Sequence, residues 1–480
     1  MNLINFFNGI TVFELIYIIT VAFAIILVVQ QKGDPLKTIS WILVIILIPI
    51  AGIGLYFFFG QNYRRQKIFS RKEVSDIEHL RGLNTYISKK LLRKSTIKSK
   101  QRMMTLLENN SKSLLTQNNN VEIYFSGKEA FDQILSDFEK ARHHIHVEYY
   151  IIEDDKIGKR VQEMLIKKAL QGVIVRVIYD DVGSWSLPKK YTNSLHHAGV
   201  EIHPFLPVKF PLLTNKINYR NHRKIIVIDG TIGYVGGMNI ADRYLEGNAE
   251  VGQWRDAQLR IEGDSAHSLQ AIFLTDWYFA SKKIINSEIY FPPHNIHQEH
   301  VIQITASGPD SDWASIMQSY FVAITTAEKY IYIASPYFIP NESILTALKT
   351  AALSGVEVRI MLPYKSDSHI VFRSTLSFVS ELLEAGIHVH FYNNGFNHSK
   401  LIIVDGVIAS VGTANMDIRS FDQNFEVNAL IYDEEITKVL EDNFKEDMKS
   451  SVEFTLSEWE NRPWIDNQKE ILARLLSPLF

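Results

Sequence analysis

The stretch HRKIIVIDGTIGYVGG at residues 222–237 recurs, with the same spacing of its polar residues, as HSKLIIVDGVIASVGT at residues 398–413. In both copies lysine follows histidine by two residues, aspartate follows lysine by five, and asparagine (Asn239, Asn415) follows histidine by seventeen. A strand sends residues i and i+2 to one face, so His222 with Lys224, and His398 with Lys400, are expected to project together. The apolar runs IIVI and LIIV then bury each strand. Asp229-Gly230 and Asp405-Gly406 are tight-turn dipeptides, and the next apolar run returns antiparallel, bringing each asparagine back towards its histidine.

Outward from this block the repeat continues. IHVEYYI (145–151) is answered by IYIASPYFI (331–339), GVIVRVIYD (172–180) by GVEVRIMLP (355–363), and AGVEIHPF (198–205) by AGIHVHFY (385–392). Four blocks in one order, at offsets of 176 to 187 residues, identify an internal duplication. Strand-like runs alternate with helical periodicity, as in KEAFDQILSDFEKAR at 128–142. The fold class is therefore α/β, with two lobes of parallel strands joined by helices and related by a pseudo-twofold axis. That axis gathers two histidines, two lysines and two asparagines around one pocket. Such a set suits a phosphodiester, because lysine and amide donors hold non-bridging oxygens and stabilise charge in a crowded transition state.

The first sixty residues differ in character. Residues 15–31 and 38–63 carry no charge, and GDP at 33–35 between them reads as a turn. A helix needs about 20 mostly apolar residues to cross a bilayer core, so a transmembrane helical hairpin is expected over residues 1–62. MNLINFFNG lacks the basic start of a signal peptide. From Arg64 to Arg102 thirteen Lys/Arg stand against three acids, whereas the turn offers only Lys32 and Lys37. The positive-inside rule then places everything after residue 63 in the cytoplasm of a multi-pass membrane protein, with the basic stretch available to anionic headgroups.

Composition narrows the chemistry further. With 46% hydrophobic residues over 480 positions the chain can fill more than one core, and a net charge of −3 argues against a nucleic-acid binder. The absence of cysteine removes disulfides, thiolate metal sites and cysteine nucleophiles. Histidines outside the repeat lack an accompanying acid cluster at ligand spacing, so no metal site is expected. Glu148 fits a pocket-facing or a buried, paired carboxylate equally, and the apolar, proline-broken loop 205–217 fits an entrance for acyl chains.

The paired HxKxxxxD motifs resemble those of the phospholipase D superfamily. Over nearly the whole chain the resemblance is to bacterial cardiolipin synthases: IHVEYY, ASGPD at 306–310, MDIRSF at 416–421 before Asn424-Phe425-Glu426, and the terminal ARLLSPLF. It implies a hairpin at 1–62, a basic juxtamembrane helical linker at 63–118, and two phospholipase D-like lobes at 119–293 and 294–480. It implies a catalytic set of His222, Lys224, Asp229, His398, Lys400 and Asp405, with Asn239 and Asn415 joining the lysines in holding phosphate. His222 is then the nucleophile and His398 the acid/base, although the near-identity of the two motifs leaves that order open. Asp256 and Glu426, 34 and 28 residues after the histidines, resemble the carboxylates that orient them. Asp229 and Asp405, each before a turn glycine, fit a scaffold role better than direct chemistry.

The implied reaction needs no cofactor and no metal. Phosphatidyl passes from one phosphatidylglycerol to the hydroxyl of another through a phosphatidyl-histidine, giving cardiolipin and glycerol. A hydrolase or another phosphatidyltransferase of the superfamily shares the same residues. A nuclease shares them too but predicts no hairpin, and a non-catalytic scaffold has no need of two intact motifs.

Overall fold

The computed structural model describes residues 12–30, 35–56, 60, 100–208 and 215–477. The chain divides into two compact units, residues 1–70 with 209–218, and residues 71–208 with 219–480.

In the first unit the helices are α1 (Val12–Gln30), α2 (Pro35–Leu47) and α3 (Pro49–Leu55). Ala24 and Val28 of α1 pack with Ile45 of α2 and with Tyr56, while Ile19, Phe23, Ile39, Leu47 and Ile50 stay exposed. Pro49 has no amide hydrogen to give the preceding turn, and the expected second span breaks at Ile48 into two shorter helices. Among the described residues no helix is long and apolar enough to cross a membrane. Most of the basic stretch, residues 61–99, and residues 209–214 of the apolar loop lie outside the described residues.

The second unit carries the duplication. Its first strands are β1 (Leu115–Thr116), β2 (Asn119–Tyr124), β3 (His144–Tyr149), β4 (Ile174–Asp180), β5 (Glu201–Phe205), β6 (Ile225–Ile228), β7 (Ile232–Gly236), β8 (Trp254–Arg255) and β9 (Gln258–Gly263). They are followed by β10 (Ile302–Ser307), β11 (Tyr330–Ala334), β12 (Phe338–Ile339), β13 (Glu357–Pro363), β14 (His388–Tyr392), β15 (Phe396–Asn397), β16 (Leu401–Val404), β17 (Ile408–Gly412), β18 (Met416–Asp417), β19 (Glu426–Ile431) and β20 (Ser451–Glu453). The first sheet runs β2-β9-β7-β6-β3-β4-β5 and the second β1-β10-β19-β17-β16-β11-β13-β14-β20. Strand for strand, β2, β3, β4, β5, β6, β7 and β9 correspond to β10, β11, β13, β14, β16, β17 and β19. In each sheet three strands are parallel (β3-β4-β5 and β11-β13-β14), and the motif hairpin joins them antiparallel.

One face of each sheet is covered by its own helices. Phe131, Ile134, Phe138 and Val161 pack on Ile145, Val147 and Val175 in the first lobe. Ile344, Leu345 and Leu348 pack among Ile331, Ile333, Val358 and Ile360 in the second. The other faces meet, with Ile225, Val227, Val235 and Leu259 sharing one core with Leu401, Ile403, Val411 and Val427. This shared core puts the two motif hairpins back to back, as the repeat predicts. From Lys100 onward the expected linker is part of the second lobe: helix Gln101–Ser111 buries Met103, Met104 and Leu107 in that lobe's core, and β1 pairs with β10.

Candidate active site

Each motif hairpin forms as its sequence suggests. Ile228 faces Ile232 across the Asp229-Gly230 turn and Val404 faces Ile408 across Asp405-Gly406. All four turn residues have positive φ, between 51° and 72°. That backbone is natural for Asp-Gly and strained for branched residues. The aspartates do more than turn the chain. Asp229 accepts backbone N–H groups from Arg142, His143 and His144, and Asp405 from Glu328, Lys329 and Tyr330. They tie the hairpin tips to the starts of β3 and β11, at the opposite end of the strands from the histidines. Neither lines the cavity that holds the histidines.

At the other end, His222 and His398 face a single cavity of about 320 Å³, together with Asn239 and Asn415. Both histidines are buried, as are Lys224 and Lys400. Lys224 Nζ donates to the His222 carbonyl at 2.7 Å, and Lys400 Nζ donates to the His398 carbonyl and lies 2.8 Å from His398 Nδ1 and 3.1 Å from its Nε2.

The two carboxylates cross between the lobes. His222 Nδ1 lies 3.0 Å from both oxygens of Glu426, a residue of the second lobe. His398 Nδ1 lies 2.7 Å from Asp256 Oδ2, a residue of the first. The backbone explains the exchange. Asn221, before His222, bridges to Phe425, before Glu426, and the His222 N–H donates to the Phe425 carbonyl at 2.9 Å. Likewise β15, before His398, pairs with β8, before Asp256, and the His398 N–H donates to the Arg255 carbonyl. A short two-stranded seam between lobes thus docks each histidine against its partner's carboxylate.

The difference between Gly237 and Thr413 follows from the same crossing. The Thr413 hydroxyl donates to Glu426 Oε2 at 2.5 Å, and the Asn424 amide donates to Oε1 at 3.2 Å. In the first lobe a Cβ at position 237 would stand 2.2 Å from Asp256 Oδ1, so only glycine leaves the aspartate its place.

Burial governs the protonation states. It pushes His222 down to about 4, with Lys224 adding to the effect and Glu426 opposing it. His398 is driven well below its ordinary value by burial and then by Lys400. Burial lowers Lys224 to about 7 and Lys400 to about 8, against the pull of Glu426 and Asp256. For Glu426 burial works upward, but His222 and Lys224 win and hold it below the usual carboxylate range. Asp256 is raised by burial to about 6. At His222 a neutral imidazole with its Nδ1–H directed at ionised Glu426 presents a bare Nε2. The crowded cations beside it favour an anion.

Sequence reasoning missed several cavity residues. Tyr150 sets its ring edge-on to His222 with centroids 4.9 Å apart, whereas its neighbour Tyr149 is core. Trp254 and Tyr244 flank His398 at 5.1 and 5.6 Å. Arg220, Arg243 and Arg419 add charge to the wall. A signal existed for two of them, since Arg220 stands two residues before His222 and Arg419 lies in MDIRSF. Glu148 does not line the cavity; it is buried and accepts from the Asn221 amide at 2.6 Å.

The family described as "Cardiolipin synthase, PLD-like domain" matches residues 134–277 and 320–448, one segment in each lobe. Residues 18–61 match "Phospholipase_D-nuclease N-terminal". The chain is 44% identical over 472 residues to a cardiolipin synthase of Halalkalibacterium halodurans, covering 98% of this chain and 94% of that one. It is 42% identical over 475 residues to the major cardiolipin synthase ClsA of Bacillus subtilis, covering 97% and 98%. In fold it is similar to the phosphatidylserine synthase of Haemophilus influenzae, with a TM-score of 0.60 at 15% identity over 80% of this chain and 100% of the other. With matching segments in both lobes and relatives aligned almost end to end, the chain belongs to the cardiolipin synthases of the phospholipase D superfamily.

Proposed function

We propose that this protein transfers phosphatidyl from one phosphatidylglycerol to the terminal hydroxyl of a second, releasing glycerol and forming cardiolipin. The observation that carries the reading is the convergence of two imidazoles on one cavity, each held at Nδ1 by a carboxylate from the opposite lobe.

In this scheme His222 Nε2 attacks the phosphorus of the first lipid, and the bond from phosphorus to the glycerol oxygen breaks. His398 Nε2 gives its proton to the departing oxygen. The second lipid's hydroxyl returns a proton to His398 as its oxygen attacks phosphorus, and the phosphorus–nitrogen bond breaks to free His222. Lys224 and Lys400, with Asn239 and Asn415, hold the non-bridging oxygens. The phosphodiester's own negative charge offsets the lysines and favours a proton on His398, which burial and the lysines by themselves disfavour. Glu426 and Asp256 keep each Nδ1 protonated and stabilise the imidazolium.

Membrane attachment belongs to the same proposal. The apolar residues 15–31 and 38–63, the exposed apolar side chains of α1 to α3 and the match of residues 18–61 support a helical hairpin in the bacterial cell membrane. The basic run after it supports a cytoplasmic site beside anionic headgroups.

The test is the product profile of the purified protein in vesicles of pure phosphatidylglycerol. Cardiolipin and glycerol in equal amounts are expected. Phosphatidic acid as the sole lipid product overturns the reading in favour of a hydrolase.

A further inference from the structure

The C-terminal helix Trp464–Leu475 is built inside out. Its side towards the protein is polar apart from Ala473. Arg373 donates to Asp466 at 3.0 Å, Arg462 pairs with buried Glu470 at 2.9 and 3.0 Å, and Ser374 meets Ser477 at 2.8 Å. Positions 466, 470, 473 and 477 recur at helical spacing and make one face. The opposite face is apolar and bare: Trp464 is 71% exposed, Ile465 52%, Ile471 50%, Leu472 65%, Leu475 74% and Leu476 42%. A helix docked on a soluble protein normally does the reverse, burying its apolar stripe. Six adjacent exposed large apolar side chains mark a surface that meets something apolar.

We propose that this face lies in the membrane interface beside the entrance of the active-site cavity and guides the lipid headgroup into it. The inference deepens the reaction reading above and rests on it for the substrate class. Two observations select the bilayer. First, the helix is fixed by ion pairs and hydroxyls to helix His369–Leu376, and that helix and its cap, through Ser368 and Val371, form part of the cavity wall. Ile370 of the same helix is 55% exposed. Second, a cavity of about 320 Å³ accepts a headgroup and phosphate but not two acyl chains. The chains of a bound diacyl lipid therefore remain in the bilayer, and the protein surface next to the cavity must touch it. Trp464 at one end and exposed Lys469 on the flank suit the boundary between headgroups and chains.

The chain has no cysteine, so Leu472→Cys offers a single site for an environment-sensitive fluorophore on the full-length protein. In phosphatidylglycerol vesicles the label is expected to blue-shift and to be quenched by lipids brominated on their acyl chains. A label that stays solvated and unquenched overturns the proposal. So does a label already shielded in detergent and exposed on dilution, which would place a second copy on this face. The second arm uses Leu472→Gln with Leu475→Gln. Cardiolipin formation from long-chain vesicles should fall about tenfold, and that from dispersed short-chain phosphatidylglycerol by less than about twofold. An equal loss on both substrates assigns the face a structural role and overturns the proposal. Quenching needs no turnover, so wild-type protein that made no cardiolipin would sink the reaction reading while the label still decided this one.

Discussion

Glu426 and Asp256 hold equivalent imidazoles with side chains one methylene apart, and their neighbours compensate. The longer carboxylate takes the Thr413 hydroxyl and the shorter one needs Gly237. Substituting Gly237→Ala is expected to displace Asp256 from His398 and lower kcat by about 10²-fold, read by steady-state assay on a variant that melts normally. The same shifts predict a bell-shaped pH profile for kcat/KM on a phosphatidyl nitrophenyl ester, whose leaving group departs without a proton from His398. His222 must be neutral, so the rate rises as pH climbs through about 4, and Lys224 and Lys400 must be charged, so it falls above about 7 to 8. Lys224 depresses His222 and Glu426 raises it. Lys224→Met should therefore move the acid limb to higher pH and Glu426→Gln should move it to lower pH, each alongside a loss of rate. The histidines, lysines and asparagines were legible because the duplication printed them twice. Tyr150 and Trp254 were not, because an aromatic beside a strand reads as core until its neighbours are known.

At the level of elements, the hairpins and the blocks around them could be read from period-two apolar runs and Asp-Gly turns. The crossing of the carboxylates could not. It depends on β8 and β15, two residues each, and on the bridge from Asn221 to Phe425. Pairings that short leave no periodicity in the sequence. The hairpin aspartates give a prediction that separates scaffold from chemistry. Asp229→Ala leaves three backbone N–H groups without their acceptor and should cost about 1–3 kcal/mol, measured as a lower denaturant midpoint. Activity per folded molecule should stay within about threefold, against about 10³-fold or more lost in His222→Ala. A folded Asp229→Ala protein as inactive as His222→Ala would put the aspartate back into the chemistry. The break at Pro49 is local too: composition reports only an apolar run, whereas the proline itself marks where the helix's backbone hydrogen bonding is interrupted.

For the second unit as a whole, the two sheets share one core, and this fixes the distance between half-sites that neither lobe could set alone. Sequence pointed to that arrangement through the order of the repeated blocks, while the asymmetry that would single out the nucleophile is spread over contacts such as Thr413 to Glu426. The decisive measurement is an acid-quench experiment on the full-length protein with phosphorus-labelled phosphatidylglycerol, followed by mass mapping of the adduct. One phosphatidyl group per chain is expected, on His222, accumulating in His398→Asn as its turnover slows. Label on a serine, label on both histidines at once, or no covalent adduct under single turnover would sink the covalent scheme.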